Sequence, residues 1–454
     1  MSTTNTSYYG ETSPRPSMTS PERRPEEKRR RKGVGAPPAA ILDDVLFAEV
    51  LPRLPIKSIV RFRSVCRAWR DAVDGGAVAR RRLELSRSSP PAMLVIPRED
   101  WDNNLAERSA ELNFYRLLLA DGGAPAGDAA AAAAELVLEK ALPGAATVTH
   151  EVVPTHCDGL VAVATRDGEV FVCNPATREL VALPPGTPSV RDDAYAWGAR
   201  PAAIAYDYDA SRRSYVVARY FYREFHEAKD ADGGNFVLLK CDIGHEVFTL
   251  GAGGGGGWEV TGDPPHPIAF ARPVCTRDAI YWCADADYQQ DDENALVRFD
   301  LRDRAFDVVP PPPGADMYSD EQHVAELEGK LYYVDYVDTA VDVWVAEEVG
   351  VGRQRRPEWT LRCRLDFGGG VFGSGEAILP VADDGEEMLV AVDYRKLYRY
   401  SERTKSLSLV VDMAKELVYQ REDGSLLYGD GDGKFFKHHV VPYVESLVST
   451  RGRQ

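Results

Sequence analysis

The chain has 454 residues, 44% hydrophobic and 28% charged, with a formal net charge of −17 at pH 7. That length allows two or more domains around a large core. No run of about 18 apolar residues offers a membrane span, and the N-terminal stretch has no apolar segment of the secretory kind. Seven cysteines without a C-x-x-C pair argue against a disulfide framework or zinc ribbon and for a reducing compartment, where the sequon Asn5-Thr6-Ser7 goes unused.

Residues 1–38 are rich in Ser, Thr, Pro, Arg and Glu, so burial cannot offset their ordering entropy and the segment is expected to be a disordered tail. Its run Lys28-Arg29-Arg30-Arg31-Lys32 is a candidate nuclear import signal, which gives a cytoplasmic or nuclear expectation. Residues 1–40 and 41–89 each carry a net +4, which leaves −25 on the remainder. An acidic body of that size repels phosphate backbones and speaks against general nucleic-acid binding, while the basic head suits an acidic partner.

Residues 39–89 read as a small helical domain. Asp43 or Asp44 caps a first helix through Val45, Leu46, Val50 and Leu51, and Pro52 and Pro55 stop it. Ser58 caps a second helix, which puts Ile59, Phe62, Val65, Cys66, Trp69 and Val73 on one face. Arg61, Arg63, Arg67 and Arg70 point elsewhere, and Gly75-Gly76 ends the run. A segment this short cannot enclose its own apolar stripe. The residues Glu49-Val50-Leu51-Pro52-Arg53-Leu54-Pro55, Lys57-Ser58-Ile59, Arg61-Phe62-Arg63, Val65-Cys66-Arg67 and Trp69-Arg70 resemble an F-box. That resemblance implies docking on a Skp-type adaptor, itself acidic in the family, and through it on a cullin. The implied contacts are Leu46, Val50, Leu51, Leu54, Pro55, Val65, Cys66 and Trp69.

Ala77–Leu85 continues as basic helix, and Ser86–Pro91 reads as a linker. Beyond it the hydrophobic period changes from 3.6 to 2. Strands are expected at 92–96, 112–119 and 135–140, with the low-complexity tract Ala124–Ala134 as a mobile loop. His156–Pro185 reads as a three-strand meander turned at Asp158-Gly159, Asp167-Gly168 and Asn174–Arg178. The last turn recurs: Asn174–Leu183 superposes on Asp300–Val309 and on Ser401–Val410, with a looser copy from Tyr206-Asp207 to Val217. A small polar residue enters each turn and a basic residue precedes the next strand. The spacing fits repeats of about 40–50 residues, the period of propeller blades.

Blades are expected near 155–190, 198–262, 266–312, 322–366 and 374–413. A sixth combines strands from 92–140 with the stretch 417–448, which closes the ring. The fold class is therefore α+β and multidomain: a small all-α domain at 39–89, an all-β propeller of about six blades at 90–448, and a tail at 449–454. Seven blades or a β-sandwich are the alternatives. His156-Cys157-Asp158-Gly159-Leu160, Cys173–Arg178, Leu327–Leu331, Val343-Trp344, Trp359–Leu361 and Tyr443–Val448 are similar to landmarks of the plant F-box-associated domain. The combined resemblance implies a non-catalytic substrate-recognition subunit of an SCF-type ubiquitin ligase, acting in protein ubiquitination and degradation.

Signals of catalysis are weak. Gly251–Gly256 matches G-x-G-x-x-G but opens no helix. Asp430–Lys434 lacks calcium-loop ligands at later positions. His438 and His439 are adjacent on a strand and face opposite sides, and Ser374 lies outside a nucleophile elbow. Asp291-Asp292 and Asp383-Asp384 read as polar turns. No metal, cofactor or catalytic set is expected. Most aromatics, including Tyr220, Tyr222, Tyr281, Trp282, Tyr332, Tyr333 and Tyr336, read as inter-blade core. Tyr195, Trp197 and Tyr288 lie in polar loops and are the candidate substrate contacts. A protein substrate is the first expectation. The alternatives are a sugar or hormone receptor with the F-box as output, an F-box protein acting outside a ligase, and an enzyme propeller.

Overall fold

The computed structural model describes residues 45–451 except 89–91, 101–109, 120–131, 145, 147, 149–153, 166, 191–199, 210, 230–235, 252–255, 270, 286–294, 316–323, 338–339, 350–355, 368–376 and 429–434. The import signal, the candidates Tyr195, Trp197 and Tyr288, Ser374, Asp291-Asp292 and the Asp430–Lys434 turn lie outside the described residues.

Six four-stranded antiparallel sheets form the body. Blade 1 contains Thr155–Cys157, Leu160–Ala164, Val170–Asn174 and Glu179–Ala182. Blade 2 spans Ala203 to Val260, blade 3 Val274 to Val309, blade 4 Val324 to Asp366 and blade 5 Ile378 to Asp412. Blade 6 takes its inner strand, Phe435–Tyr443, from the C-terminal region and its other three, Ala92–Asp100, Glu111–Leu119 and Ala132–Ala141, from the region after the helices. Nine residue pairs, from Ala92–Tyr443 to Asp100–Phe435, zip this closure. The inner strands neighbour one another in the cycle 1-2-3-4-5-6-1, so the sheets form a closed ring.

Each of the six gaps between blades has its own apolar core. Tyr220, Tyr222, Trp282 and Phe299 fill the gap between blades 2 and 3. Leu94, Phe114 and Phe171 fill that between blades 6 and 1. Tyr115, Val411 and Tyr419 fill that between blades 5 and 6. Because both faces of a sheet are covered, strands such as Leu160–Ala164 and Ala279–Cys283 are buried at every position. Tyr281, Tyr332 and Tyr333 are buried too, as inter-blade core requires.

The recurring turn has a common physical basis. It links the third and fourth strands of blades 1, 3 and 5. The Asn174 carboxamide oxygen accepts from the Ala176 and Thr177 N–H groups, and the Asp300 carboxylate accepts from Arg302 and Asp303. The basic residue that closes each copy adopts a left-handed backbone: Arg178 at φ 63°, Arg304 at 54° and Lys405 at 51°. The looser copy at Asp207 joins the first two strands of blade 2 instead, so it is a different turn.

Four expectations need correction. The second helix is not continuous: helix α1 (Ile56–Phe62) ends, the chain turns at Arg63–Val65, and α2 (Arg67–Asp74) restarts after an extended Cys66. Ser58 lies inside α1, whose N-terminal flank is Pro55. Ala132–Ala134, expected in a loop, are strand residues. The stretch 417–448 is not all blade, since Tyr419–Gln420 and Leu426–Tyr428 form a separate two-stranded ladder.

Candidate functional site

The helical region contains α1, α2, α3 (Ala77–Arg87) and a preceding irregular helical stretch, Leu46–Arg53. Gly76, at φ 78°, supplies the left-handed corner between α2 and α3. The interior is small: Leu51, Ile59, Val73 and Val78 are buried, with Leu46, Phe47, Leu54, Phe62 and Trp69 packed against them in part. Trp69 stands edge-on between Phe62 and Phe47, at centroid distances of 4.9 and 6.3 Å. The residue that joins this cluster from the rest of the chain is Leu447.

The eight predicted adaptor contacts divide into three groups. Val50, Pro55, Val65 and Cys66 are exposed, Val65 to 60%. Leu46, Leu54 and Trp69 are half-buried. Leu51 is wholly buried and in this packing has no surface to give a partner. The break after Phe62 is what puts Val65 and Cys66 outside, because the turn lifts them off the helix face. Exposed Arg61 and Arg67 flank this surface without a carboxylate partner among the described residues, whereas Arg63 pairs with Asp74 at 2.8 Å.

The junction with the ring is polar and dense. The Arg87 guanidinium donates to both Asp158 carboxylate oxygens, at 2.9 and 2.5 Å, and to the Tyr208 hydroxyl. Burial alone lowers its pKa, and the hydrogen bonds and charge of Asp158 more than reverse that. Glu445 accepts from Arg82 of α3 at 3.1 Å and from Arg116 of blade 6, while its carbonyl accepts from the Ser86 hydroxyl. The Ser446 hydroxyl donates to the Asp158 carbonyl, and the Asn174 side-chain amide donates to the Ser446 and Val448 carbonyls. Gly159 (φ 85°) lies so close to Val444 and Ser446 that a side chain would collide with them. Ser449 and Thr450, expected in a tail, both donate to Glu179.

Sequence reasoning marked Asp158-Gly159 and Tyr443–Val448 as landmarks but not as one junction. Their shared position depends on ring closure, which returns residue 446 to residue 158.

These features match known families. The F-box domain model matches residues 41–76, and the F-box associated beta propeller domain model matches residues 138–360. This chain is an F-box protein with an F-box-associated propeller. Among its relatives, one Arabidopsis thaliana F-box protein is 25% identical over 306 residues, covering 63% of this chain and 59% of the relative. An Arabidopsis thaliana F-box/kelch-repeat protein is 24% identical over 302 residues, 63% of each chain. A further F-box protein of that plant is 25% identical over 334 residues, 71% of this chain and 78% of the relative. The matched region thus spans about three-fifths of the length of the first two. Among solved structures, an oligogalacturonate lyase in complex with manganese aligns at TM-score 0.38 and 11% identity, over 74% of this F-box protein and 85% of the lyase.

Other sequence motifs fall into structural roles. His438 donates from its ring Nδ1 to the Tyr394 carbonyl, and His439 packs edge-on against the Tyr394 ring. Asp383 is gripped by Arg362 and the Tyr332 hydroxyl. Among the described residues no disulfide joins the cysteines, no His/Cys/Asp/Glu group could hold a metal, and no helix is long and apolar enough to cross a membrane.

Proposed function

We propose that this F-box protein is the substrate-recognition subunit of an SCF-type ubiquitin ligase. Its F-box docks on a Skp-type adaptor and through it on a cullin, and its propeller holds a protein substrate. The observation that supports this reading is the apolar surface of exposed Val45, Val50 and Val65 with half-buried Phe47, Phe62 and Trp69, on which Leu447 is the ring residue that packs. Exposed apolar clusters of this kind mark association surfaces, and Arg61 and Arg67 suit an acidic partner.

In this role the protein performs no chemistry. It raises the effective concentration of a substrate near a ubiquitin-charged enzyme, and such gains depend on a defined span between the two sites. The junction through Arg87, Asp158 and Glu445 supplies a defined span. Titrating a Skp-type adaptor into the full chain tests the reading. Saturable binding that drops on Trp69→Ala is expected, and no binding by the folded wild-type chain would overturn it. Affinity purification with the Trp69→Ala control, followed by mass spectrometry, then identifies the substrate.

A further inference from the structure

The outer strand of each blade is paired on one side only, and an unpaired strand edge is a template for another chain. Five of the six outer strands are blunted. In blade 1, Glu179 of Glu179–Ala182 is tied to Ser449 and Thr450. Blade 2 ends in a very short strand, Glu259–Val260. Blade 3 sets Asp307 in the middle of Ala305–Val309. Blade 4 ends in Arg356–Asp366, which carries Pro357, Glu358, Arg362 and Arg364 and is bulged at Arg362. In blade 6, Ala132–Ala141 carries Glu135, Glu139 and Lys140, and Glu139 accepts from the Arg421 side chain and the Glu422 N–H of the two-stranded ladder.

Blade 5 is different. Its outer strand, Ser406–Asp412, has no charge and no proline before its last residue. Ser406, Ser408 and Leu409 are exposed, Leu409 to 51%, and among the described residues only Lys396–Ser401 pairs with this strand. A register shift at Val410 confines the regular edge to Ser406–Leu409, which pairs with Tyr398–Ser401. Beside this edge lies an apolar layer. Half-buried Leu407, Tyr398 and Phe367 pack on the core between blades 4 and 5, and the rings of Phe367 and Tyr398 stand 5.5 Å apart. Leu409 is opposite Tyr398 and on the same strand face as Leu407. An added strand would extend both the hydrogen-bond ladder and this layer.

The charge around the edge selects its occupant. The hairpin Lys396–Asp412 holds Lys396, Arg399, Arg403 and Lys405 against Glu402 and Asp412, a net +2 on a region that totals −25. Counting the ion-pair partners Glu387, Arg362, Asp383 and Lys415 as well leaves that surplus unchanged. It favours acidic residues in the segment that lies along the edge. It disfavours a second copy of this chain, which would bring two positive hairpins together. The regular edge is also only about 14 Å long, too small for the roughly 1,200 Å² that a stable protein–protein interface buries.

We infer that the edge Ser406–Leu409 is a docking site for an extended peptide segment of a partner protein, apolar and uncharged at its centre and acidic on its flanks, which adds a fifth strand to blade 5. Main-chain hydrogen bonds supply the attachment, and the apolar layer and the basic hairpin supply the selectivity. That the partner is a substrate rests on the proposed function. That the edge takes a strand does not, and its assay uses no adaptor.

Fluorescence anisotropy of the labelled peptide Asp-Glu-Val-Thr-Val-Thr-Val-Glu-Asp, titrated with the full chain, tests it. Saturable binding is expected, with slower amide hydrogen exchange across Ser406–Leu409 in the bound chain. A peptide with proline in place of both threonines cannot complete the ladder and should bind several-fold more weakly. A peptide with lysine flanks should also bind several-fold more weakly. Leu409→Lys gives this edge the charge that other blades carry. It should weaken binding several-fold without lowering the Tm, because the position is exposed. If Leu409→Lys does not fold, Ser408→Lys takes its place. No saturable binding by the folded wild type, equal affinity for either control peptide, equal binding by the lysine variant, or protection confined to other residues would each overturn the proposal.

Discussion

The F-box and the propeller bury their apolar surface in opposite ways. The propeller is self-sufficient: six sheets enclose six inter-blade cores, and its largest side chains, such as Trp282, Tyr115 and Tyr222, are almost wholly inaccessible. The F-box cluster has four buried apolar residues, five half-buried ones of its own, and one contact, Leu447, from the far end of the chain. Its three α-helices have no side-chain cap on their first turns, so they lack a stabilisation of about 1 kcal/mol each. The difference teaches that the F-box does not finish itself: Glu445 and Leu447 complete it on one side, and in the proposed role a partner completes the other.

The largest effect should separate the two regions. Trp282→Ala removes the centre of the core between blades 2 and 3 and should cost about 3–5 kcal/mol in urea unfolding of the ring. Adaptor affinity per folded molecule should stay unchanged; a parallel loss would mean that the two regions are not distinct in this sense. Trp69→Ala is the reciprocal change. It should weaken adaptor binding by about 2 kcal/mol or more while the ring transition stays in place, and an unaltered affinity would displace Trp69 from the interface.

Next comes the junction. The double variant Asp158→Ala, Leu447→Ala should loosen residues 45–88 by about 1–2 kcal/mol, read as faster amide hydrogen exchange there. Exchange unchanged in the helices would show that the F-box holds itself together. The last comparison is that of pH. His245 and His438 are buried and neutral, with pKa values of about 3 and about 4, chiefly because burial disfavours the charged form. Their folded pKa values lie below the unfolded value of about 6.5. Their contribution is thus complete above pH 6.5 and is lost as pH falls toward 4. Thermal melts should show the ring weakening over that window, and His438→Gln should flatten the slope. The F-box helices carry no histidine and should not share this response.

The F-box motif and the blade repeat were legible because they rest on local physics. Short apolar runs such as Leu160–Ala164 make strands where both faces are covered. Asn174 and Asp300 build their turns from bonds to their own neighbours. Even the pairing of the first and last blade strands follows from counting repeats. The helix break after Phe62 was not legible, since Ile59 to Val73 keeps a helical period across it. Only the backbone turn at Arg63–Val65 separates Val65 and Cys66 from the core face.

The sequence by itself determined that a helical head precedes a ring of repeating strand-and-turn units, about six by count, and which family the chain resembles. Each of those follows from residues within a few positions of one another. The tertiary structure decided that Asp158, Glu445 and Ser446 form one junction and that Leu51 is interior while Val65 is surface. Those neighbours are separated by up to several hundred residues. Proximity of that kind arises when a ring closes, and no local pattern encodes it.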